Sequence, residues 1–481
     1  MPHSDAAPKA LPLSGKDPLV RVSPPTFIHA LSKDTSESHV TLSPLASLSG
    51  WLSLPQAWFF DYELDHDTLA RALAQVLQRH PVYSGRLVDI SGGLYKIELS
   101  NEGVPLARGT SHLTLADLVP RFIQGGSEVG HPAFLEFMYE PHMPTLDQIL
   151  SQRKPFISAS HITLADKTSV LAMRFSHALF DETHIGLFMR DWADAARGEF
   201  QMDDQTAAKD TVSNLRALAN PENHIEFTGD FDAPNDTVFA FPSEEAVGGM
   251  LGTLQEALSK SAYEVFHIPQ GRIDRLMTEL RREDPRLSQQ DCIAAVVFKI
   301  VSQCRDPGMT RMGFASDLRL KLNPPAREAR ACVQLSFAIP AVNAASAPLI
   351  SIASSIRDAV LDKSLVAATL GIIYAGFEHG LGPRLCPTLN LVGKGPGSTQ
   401  DFFCTQWSRA GLYVPDFGNG PPRKFAIIGR GGPSEPALPN VSGVWEAPPG
   451  AGGVVVGVTL YESELTLFRG KMAEFVNGKD F

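Results

Sequence analysis

The residues best suited to chemistry in this sequence are a histidine and an aspartate four positions apart. His177 and Asp181 stand where an apolar, strand-like run ends and a helical pattern begins. A neutral imidazole has a pKa near ~6.5 and can accept a hydroxyl proton at neutral pH. Of the 14 histidines only His177 has an aspartate at this spacing, although chance alone gives about one such pair at this composition. Its position at a strand end favours His177 as a candidate general base. The alternative is a histidine with a structural role only.

A hairpin and a helix are predicted to position this pair. Residues 156–164 and 169–175 are strand-like and flank a polar turn, which predicts a β-hairpin. The next helix is predicted from about 181 to 196, with Gly198 as its C-terminal stop. Because strands and helices do not alternate strictly, the sequence predicts α+β layers. The other predicted elements are a helix from Asp65 to Pro81, a β-meander over 84–106, helices over 270–304 and 347–375, strands over 312–316, 332–340 and 388–460, and a last helix over 463–476.

Length and composition predict a two-domain globular protein. A chain of 481 residues is too long for one compact core. The acidic, weakly periodic stretch after residue 200 predicts a crossover between domains. The net charge of −11 argues against broad contact with nucleic acid or with an anionic membrane surface, and no stretch approaches the ~20 apolar residues of a membrane span. The expected divisions are a flexible arm over 1–25, an N-terminal domain over 26–200, a crossover linker over 201–262 and a C-terminal domain over 263–481.

The cysteines indicate a reducing compartment. There are five of them, an odd number, in largely apolar surroundings and without C-x-x-C spacing. Such cysteines are most often free buried thiols, as in cytosolic proteins. The N-terminus has no apolar run of signal-peptide length. The expectation is therefore a soluble protein of the cytoplasm.

A second group of residues, Asp416-Phe417-Gly418-Asn419-Gly420, has the composition of a tight loop. Considered alone, it predicts only a turn. Together with His177-x-x-x-Asp181 it resembles the BAHD acyltransferase superfamily, and most of all the fungal branch of trichothecene 3-O-acetyltransferase-like enzymes. The resemblance extends over residues 40–475, in the right order, through segments 42–45, 69–87, 288–300, 317–319, 390–393 and 405–407.

The resemblance implies a fold and a reaction. The fold is two similar domains of the chloramphenicol acetyltransferase type with a central channel between them. The reaction is transfer of an acyl group from acyl-CoA, as co-substrate, to a hydroxyl or amine of a small-molecule acceptor, which is expected to be a secondary metabolite. It implies a ternary complex without an acyl-enzyme, no bound cofactor, no metal and a monomeric enzyme.

The resemblance also implies roles for individual residues. His177 would be the general base and Thr405 the donor to the oxyanion, with Ser43 and Trp407 lining the channel. Supporting roles would fall to Asp181, paired with Arg319, and to the loop residues Asp416, Gly418 and Gly420, which would support the C-terminal domain at a distance from the substrate.

The sequence departs from the family pattern at several positions. Ala46 replaces an aspartate, Glu182 the glycine after the motif aspartate, and Asn419 an aromatic residue; residues 331–336 also differ from the expected Tyr-Phe-Gly-Asn segment. These changes bear on the acyl-donor pocket more than on the fold.

Other functions fit the residues less well. A serine hydrolase would need a Gly-x-Ser-x-Gly elbow, which is missing, and residues 393–399 have their lysine in the wrong place for a phosphate loop. His177 and His184 are seven apart without a cysteine beside them, which disfavours zinc. Two alternatives remain: the same fold working as a cyclase or condensing enzyme on a polyketide-type substrate, and a binding protein that has lost catalysis.

Overall fold

The computed structural model describes residues 19–32, 38–48, 53–119, 126–128, 136–139, 146–201, 239–240, 257, 260–305, 309–319, 334–340, 344–380, 386–387, 400–427 and 439–479. The helices within them are α1 (Pro44–Leu48), α2 (His66–Arg79), α3 (Leu115–Leu118), α4 (Leu146–Ser151), α5 (Glu182–Arg197), α6 (Gln270–Glu283), α7 (Gln289–Arg305), α8 (Leu349–Leu361), α9 (Lys363–Glu378) and α10 (Glu462–Val476). The strands are β1 (Val20–Val22), β2 (Thr26–Ile28), β3 (His39–Thr41), β4 (Ser53–Phe60), β5 (Arg86–Ser91), β6 (Leu94–Glu98), β7 (Val104–Ser111), β8 (Ser127–Glu128), β9 (Ile157–Thr163), β10 (Ser169–Ser176), β11 (Phe239–Ala240), β12 (Ser261–Ile268), β13 (Met309–Asp317), β14 (Gln334–Pro340), β15 (Cys386–Pro387), β16 (Gln400–Gln406), β17 (Lys424–Ile427), β18 (Val441–Glu446) and β19 (Val454–Tyr461).

The first large sheet carries His177 directly after one of its central strands. Its order is β1-β7-β9-β10-β4-β17, with β2 also paired to β7. Strands β9 and β10 are antiparallel, which confirms the predicted hairpin, while β7 and β9 are parallel. Helices α2 and α5 pack against each other, and their buried side chains share one hydrophobic core with this sheet.

The residues at which both of these helices begin and end can be recognised from the sequence. The carboxylate of Asp65 accepts the Thr68 N–H at 2.7 Å and caps α2. That helix ends at Arg79 because Pro81 has no N–H to continue it. Asp181 caps α5, and Gly198 ends it with φ of 73°, a left-handed conformation that favours glycine.

The second large sheet supports the other half of the molecule. Its order is β14-β13-β16-β18-β19-β12-β8. Strand β16 runs parallel to β13 and to β18, whereas the other neighbours are antiparallel. Helices α6 to α10 contribute buried side chains to a second core with this sheet.

The two halves exchange short strands. Strand β17, from the second half of the chain, pairs with β4 in the first sheet. Strand β8, from the first half, pairs with β12 in the second sheet. Helix α1 adds Leu45 to the second core and Ala46 to the first. The predicted boundaries 26–200 and 263–481 therefore need correction, because neither sheet is built from one continuous stretch of chain.

The α+β fold class is confirmed, and so is the last helix, α10. The predicted arm over 1–25 needs correction, because residues 20–22 form β1 and pair with β7. Residues 1–18 lie outside the described residues. So do most of the predicted crossover over 201–262, Cys332, and the segments 390–393 and 393–399.

One pair of helices is notably apolar. Among the described helices none is by itself long and apolar enough to span a membrane. Helices α8 and α9, which meet at a bend of 60°, meet the criteria of length and composition when they are taken together. Val366, Leu370 and Ile373 of α9 are buried in the second core.

Candidate active site

His177 lies in a tight turn between β10 and α5. The carbonyl of Ser176, the last residue of β10, accepts hydrogen bonds from the N–H groups of Leu179 (3.2 Å) and Phe180 (3.0 Å). This double acceptor folds the chain back over His177, whose side chain is half-buried. Burial lowers the pKa of the imidazole below 6.5, and the charge of Asp181 only partly opposes this effect. The ring is therefore neutral at pH 7 and able to accept a proton.

Asp181 is engaged on both carboxylate oxygens. Oδ1 accepts the backbone N–H of His184 at 2.9 Å, and Oδ2 accepts from Nη1 of Arg319 at 2.8 Å. Burial by itself raises the pKa of this carboxyl, but the charge and hydrogen bond of Arg319 outweigh it, and the pKa ends below its ordinary value. Both carboxylate oxygens thus serve the fold of the turn and the ion pair.

The ion pair joins the two halves of the molecule. Arg319 follows β13, where its backbone N–H and its guanidinium both donate to Oδ1 of Asp317, at 2.8 and 3.1 Å. The hydroxyl of Thr183, in the first turn of α5, donates to Oδ2 of Asp317 at 3.3 Å. The end of one sheet thereby fixes the start of the helix that follows His177.

Thr405 and Trp407, the other two residues predicted for the site, lie at the end of β16. The indole Nε1 of Trp407 donates to the Thr405 hydroxyl oxygen at 2.9 Å. Both side chains are buried, and Trp407 packs in the same hydrophobic core as Ala178 and Leu179, which directly follow His177. Trp407 follows a strand of the second sheet and His177 follows a strand of the first, so the residues around them pack in one core from different sheets.

Two glycines leave space for the rings of two buried tryptophans, Trp407 and Trp445. Gly443 of β18 lies beside Thr405, and Gly457 of β19 lies beside Gly443. A Cβ on Gly443 would approach the Trp407 ring to 3.0 Å, and one on Gly457 would approach the Trp445 ring to 2.9 Å. The two indoles stack with centroids 5.8 Å apart. A larger residue at Gly443 would press on the tryptophan that bonds Thr405, whereas one at Gly457 would first meet the Tyr263 hydroxyl and then Trp445.

Ser43 lies directly before α1. Its hydroxyl accepts the Ala46 N–H at 3.1 Å and the side chain is buried. It therefore caps α1, and its place in the lining of the channel stays a prediction.

The loop at Asp416 closes on itself. Oδ1 of Asp416 accepts the N–H groups of Gly418 and Gly420, both at 2.8 Å. The two glycines have φ of 118° and 109°, which side-chain-bearing residues rarely adopt. The predicted turn is therefore present.

The loop packs on the first half of the molecule. The hydroxyl of Tyr62 donates to the Gly420 carbonyl at 2.8 Å. Phe417 makes edge contacts with Phe60 and Trp192, at centroid distances of 5.6 and 5.8 Å. Strand β17 then enters the first sheet. These contacts lie with β4, the residues that follow it, and α5, and the role of the loop in supporting the C-terminal domain stays a prediction.

The family model named "Transferase family" matches residues 31–475 of the chain. The chain belongs to the Transferase family. A search of curated protein sequences gives no match.

Solved structures of low sequence identity share the fold of this Transferase-family chain. Vinorine synthase is 15% identical, with 93% of this chain and 96% of the other covered and a TM-score of 0.62. TRI101 of F. graminearum, complexed with coenzyme A and deoxynivalenol, is 13% identical, with 89% and 96% covered and a TM-score of 0.65. The epimerization domain from the third module of tyrocidine synthetase B is 10% identical, with 93% and 99% covered and a TM-score of 0.56. At these identities the likeness establishes the fold alone.

This family member has a buried glutamate directly after the motif aspartate. Nε2 of Gln56, on β4, donates to Oε1 of Glu182 at 2.6 Å. Glu182 is the first residue of α5, where the helix dipole favours a negative charge. The sequence alone marked Glu182 as a departure but gave no signal for Gln56, which is 126 positions away.

No metal-binding group of three or more His, Cys, Asp or Glu side chains occurs among the residues the model describes. His184, weighed above as a zinc ligand, bonds instead to the Leu179 carbonyl and to Tyr83. No pattern in the sequence indicated these two contacts.

Proposed function

We propose that this protein transfers an acyl group from acyl-CoA to a hydroxyl or amine group of a small-molecule acceptor, with His177 as general base. The observation that carries the proposal is the neutral, half-buried imidazole in a turn whose aspartate is committed to Arg319. A base that is not charged at pH 7 and is fixed at a strand end suits proton abstraction from a bound nucleophile.

The mechanism is a direct transfer in a ternary complex. His177 takes the proton of the acceptor as its oxygen or nitrogen attacks the thioester carbonyl. Thr405 donates a hydrogen bond to the resulting oxyanion, a contribution worth about 3 kcal/mol. The tetrahedral intermediate then collapses, the carbon–sulfur bond breaks, and the thiolate of coenzyme A takes the proton back from His177. The hydrogen bond from Trp407 supports this role of Thr405. Because the Thr405 hydroxyl oxygen accepts from the indole N–H, its own hydrogen points in another direction.

Structural neighbours support the choice of co-substrate. TRI101 of F. graminearum has been crystallised with coenzyme A and deoxynivalenol, and that of F. sporotrichioides with coenzyme A and T-2. On the strength of the sequence resemblance we extend the proposal to a fungal, monomeric enzyme with a secondary metabolite as acceptor.

The cysteines support a reducing compartment. Cys292, Cys304 and Cys404 are free thiols, and burial raises their pKa to about 12, 12 and 11. Protonated thiols of this kind are poor nucleophiles and suit packing. We therefore place the proposed enzyme in the cytoplasm.

Thiol release tests the proposal directly. Incubation with acetyl-CoA and a panel of alcohols and amines is expected to release free thiol only when an acceptor is present, with an acetylated product detected by mass spectrometry. The panel also separates O-acylation from N-acylation. A ring-closed product formed without any thioester would favour a cyclase, and no release with any donor or acceptor would contradict acyl transfer.

The pH dependence of the reaction tests the state of His177. Only the neutral imidazole accepts a proton, so activity is lost as pH falls through its pKa. Because burial puts that pKa below 6.5, kcat/KM with an alcohol acceptor is expected to be level at pH 7 and to decline only under more acidic conditions. An acid limb centred above pH 6.5 would contradict a buried, neutral base.

A further inference from the structure

A buried histidine lies directly beneath the turn that carries His177. His184 is the third residue of α5, and its ring makes two hydrogen bonds. Nδ1 bonds to the Leu179 carbonyl at 2.9 Å, and Nε2 bonds to the Tyr83 hydroxyl at 2.7 Å. Leu179 belongs to the same turn as His177, so this ring contacts the turn from below.

The partners of His184 define its tautomer. A carbonyl oxygen only accepts, so Nδ1 carries the proton and donates it to Leu179. Nε2 of the neutral ring is then an acceptor, and the Tyr83 hydroxyl donates to it. Burial lowers the pKa of His184 to about 4, so the ring holds this neutral form at pH 7. Tyr83, His184 and the Leu179 carbonyl thus form a one-directional chain of hydrogen bonds.

This chain of hydrogen bonds adds a second anchor at the backbone of Leu179. The N–H of Leu179 donates to the Ser176 carbonyl, and its own carbonyl accepts from His184. Because the N–H and the carbonyl of Leu179 are both bonded, the residues between Ser176 and Leu179 have little freedom to rotate. His177 is one of them, so the direction of its side chain depends on the bond from His184.

Aromatic contacts hold the chain of hydrogen bonds rigid. The Tyr83 ring stacks on Phe180 at a centroid distance of 5.3 Å and meets the edge of Phe188 at 5.3 Å. Phe180 in turn lies 4.6 Å from the ring of His184. Tyr83 and His184 are both buried. A histidine packed in this way has few alternative rotamers.

We infer that His184 and Tyr83 are positioning residues that orient His177 from within the first half of the molecule. Their side chains act beside the Asp181–Arg319 pair, which holds the backbone N–H of His184 and fixes the same loop from the second half. The inference rests on the proposed function in one respect, since the orientation of His177 matters to turnover only if His177 is the base.

Two substitutions of the same residue separate the two bonds. In His184→Asn the amide nitrogen occupies the position of Nδ1 and can still donate to Leu179. In His184→Gln the longer side chain reaches the position of Nε2 and can accept from Tyr83, but it no longer holds the Leu179 carbonyl. Tyr83→Phe removes one hydroxyl and keeps the ring contacts, which provides a test if a His184 variant fails to fold. His161→Gln is the matched control, because His161 is also buried with a pKa lowered to about 4 but bonds to Ser169, away from the turn.

The expected result is a split between the variants. His184→Gln is expected to lose about tenfold or more in kcat, with little change in KM for acetyl-CoA, because a misdirected base loses its alignment with the nucleophile. His184→Asn is expected to recover most of the turnover, and Tyr83→Phe to fall between them. All variants, including His161→Gln, are expected to melt at lower temperature, so a drop in melting temperature without the kcat pattern would indicate a merely structural role and overturn the inference.

A second readout does not depend on acyl transfer. Carbethoxylation of His177 by diethyl pyrocarbonate, located by peptide mass spectrometry, reports how accessible the ring is. It is expected to be severalfold faster in His184→Gln than in the wild type, His184→Asn or His161→Gln. Equal rates in all four proteins would overturn the positioning role. If the four proteins show this labelling pattern but the wild type releases no thiol with any acceptor, the proposed function fails and the positioning inference stands.

Discussion

Replacing His177 with alanine is expected to lower kcat by about 10²–10⁴-fold while leaving the protein folded. The physical reason is the loss of the only group in the turn that can take the acceptor proton, since both oxygens of Asp181 are engaged elsewhere. The turn itself has other anchors, because Leu179 and Phe180 remain bonded to the Ser176 carbonyl. Thiol release gives kcat, and a thermal melt by circular dichroism gives the state of folding.

Two further variants make this result specific. His177→Asn keeps a hydrogen-bonding side chain but has no basic nitrogen, so it is expected to lose as much activity as the alanine variant. His267→Ala removes another buried histidine, which bonds the Gly452 carbonyl at 2.7 Å in the second half of the molecule, and is expected to keep its kcat. Near-full activity in either His177 variant would remove that residue from the mechanism.

The helices around the site could be predicted because their signals are local. Asp65 and Pro81 bound α2, and Asp181 and Gly198 bound α5, each within a residue or two of the sequence prediction. Caps and stops act over three or four residues of chain, so they can be recognised without knowledge of the tertiary structure.

The exchanged strands could not be predicted, because strand pairing is not local. The four residues of β17 have no pattern that assigns them to the first sheet, where they pair with β4. The loop before them is held to the same half by the bond between Gly420 and Tyr62, which are 358 positions apart. Short strands have too few residues for alternation to specify a partner. The contacts of this loop with the first half of the molecule were not predicted for the same reason.

The candidate site was predictable in part. The spacing of His177 and Asp181 is visible in the sequence, but the pairing of Asp181 with Arg319, 138 positions away, came from the family resemblance and not from any local rule. His184 stands three residues after a capping aspartate, yet only the structure brings it to Leu179 and Tyr83. Burial, which sets the protonation state of each histidine, is a property of the packed core.

Replacing Asp181 with alanine is expected to be the most destabilising change at the site, by about 3–5 kcal/mol in the free energy of unfolding. The substitution leaves the guanidinium of Arg319 buried, at 9% exposed, with the more exposed Asp317 as its remaining carboxylate partner. It also removes the cap of α5, because Oδ1 no longer accepts from His184. Urea unfolding followed by fluorescence measures the loss, and soluble yield is expected to fall with it.

A matched substitution separates the ion pair from the cap. Asp65 caps α2 with the same geometry, accepting from Thr68 at 2.7 Å, but its side chain is 67% exposed and makes only a long contact of 4.0 Å with Arg71. Asp65→Ala is therefore expected to cost about 1 kcal/mol, the usual value of a cap. Asp181→Asn should fall between the two, because its amide oxygen keeps the cap while the charge opposite Arg319 is lost. Equal losses in Asp181→Ala and Asp65→Ala would mean that the buried pair with Arg319 adds nothing to the stability of the loop.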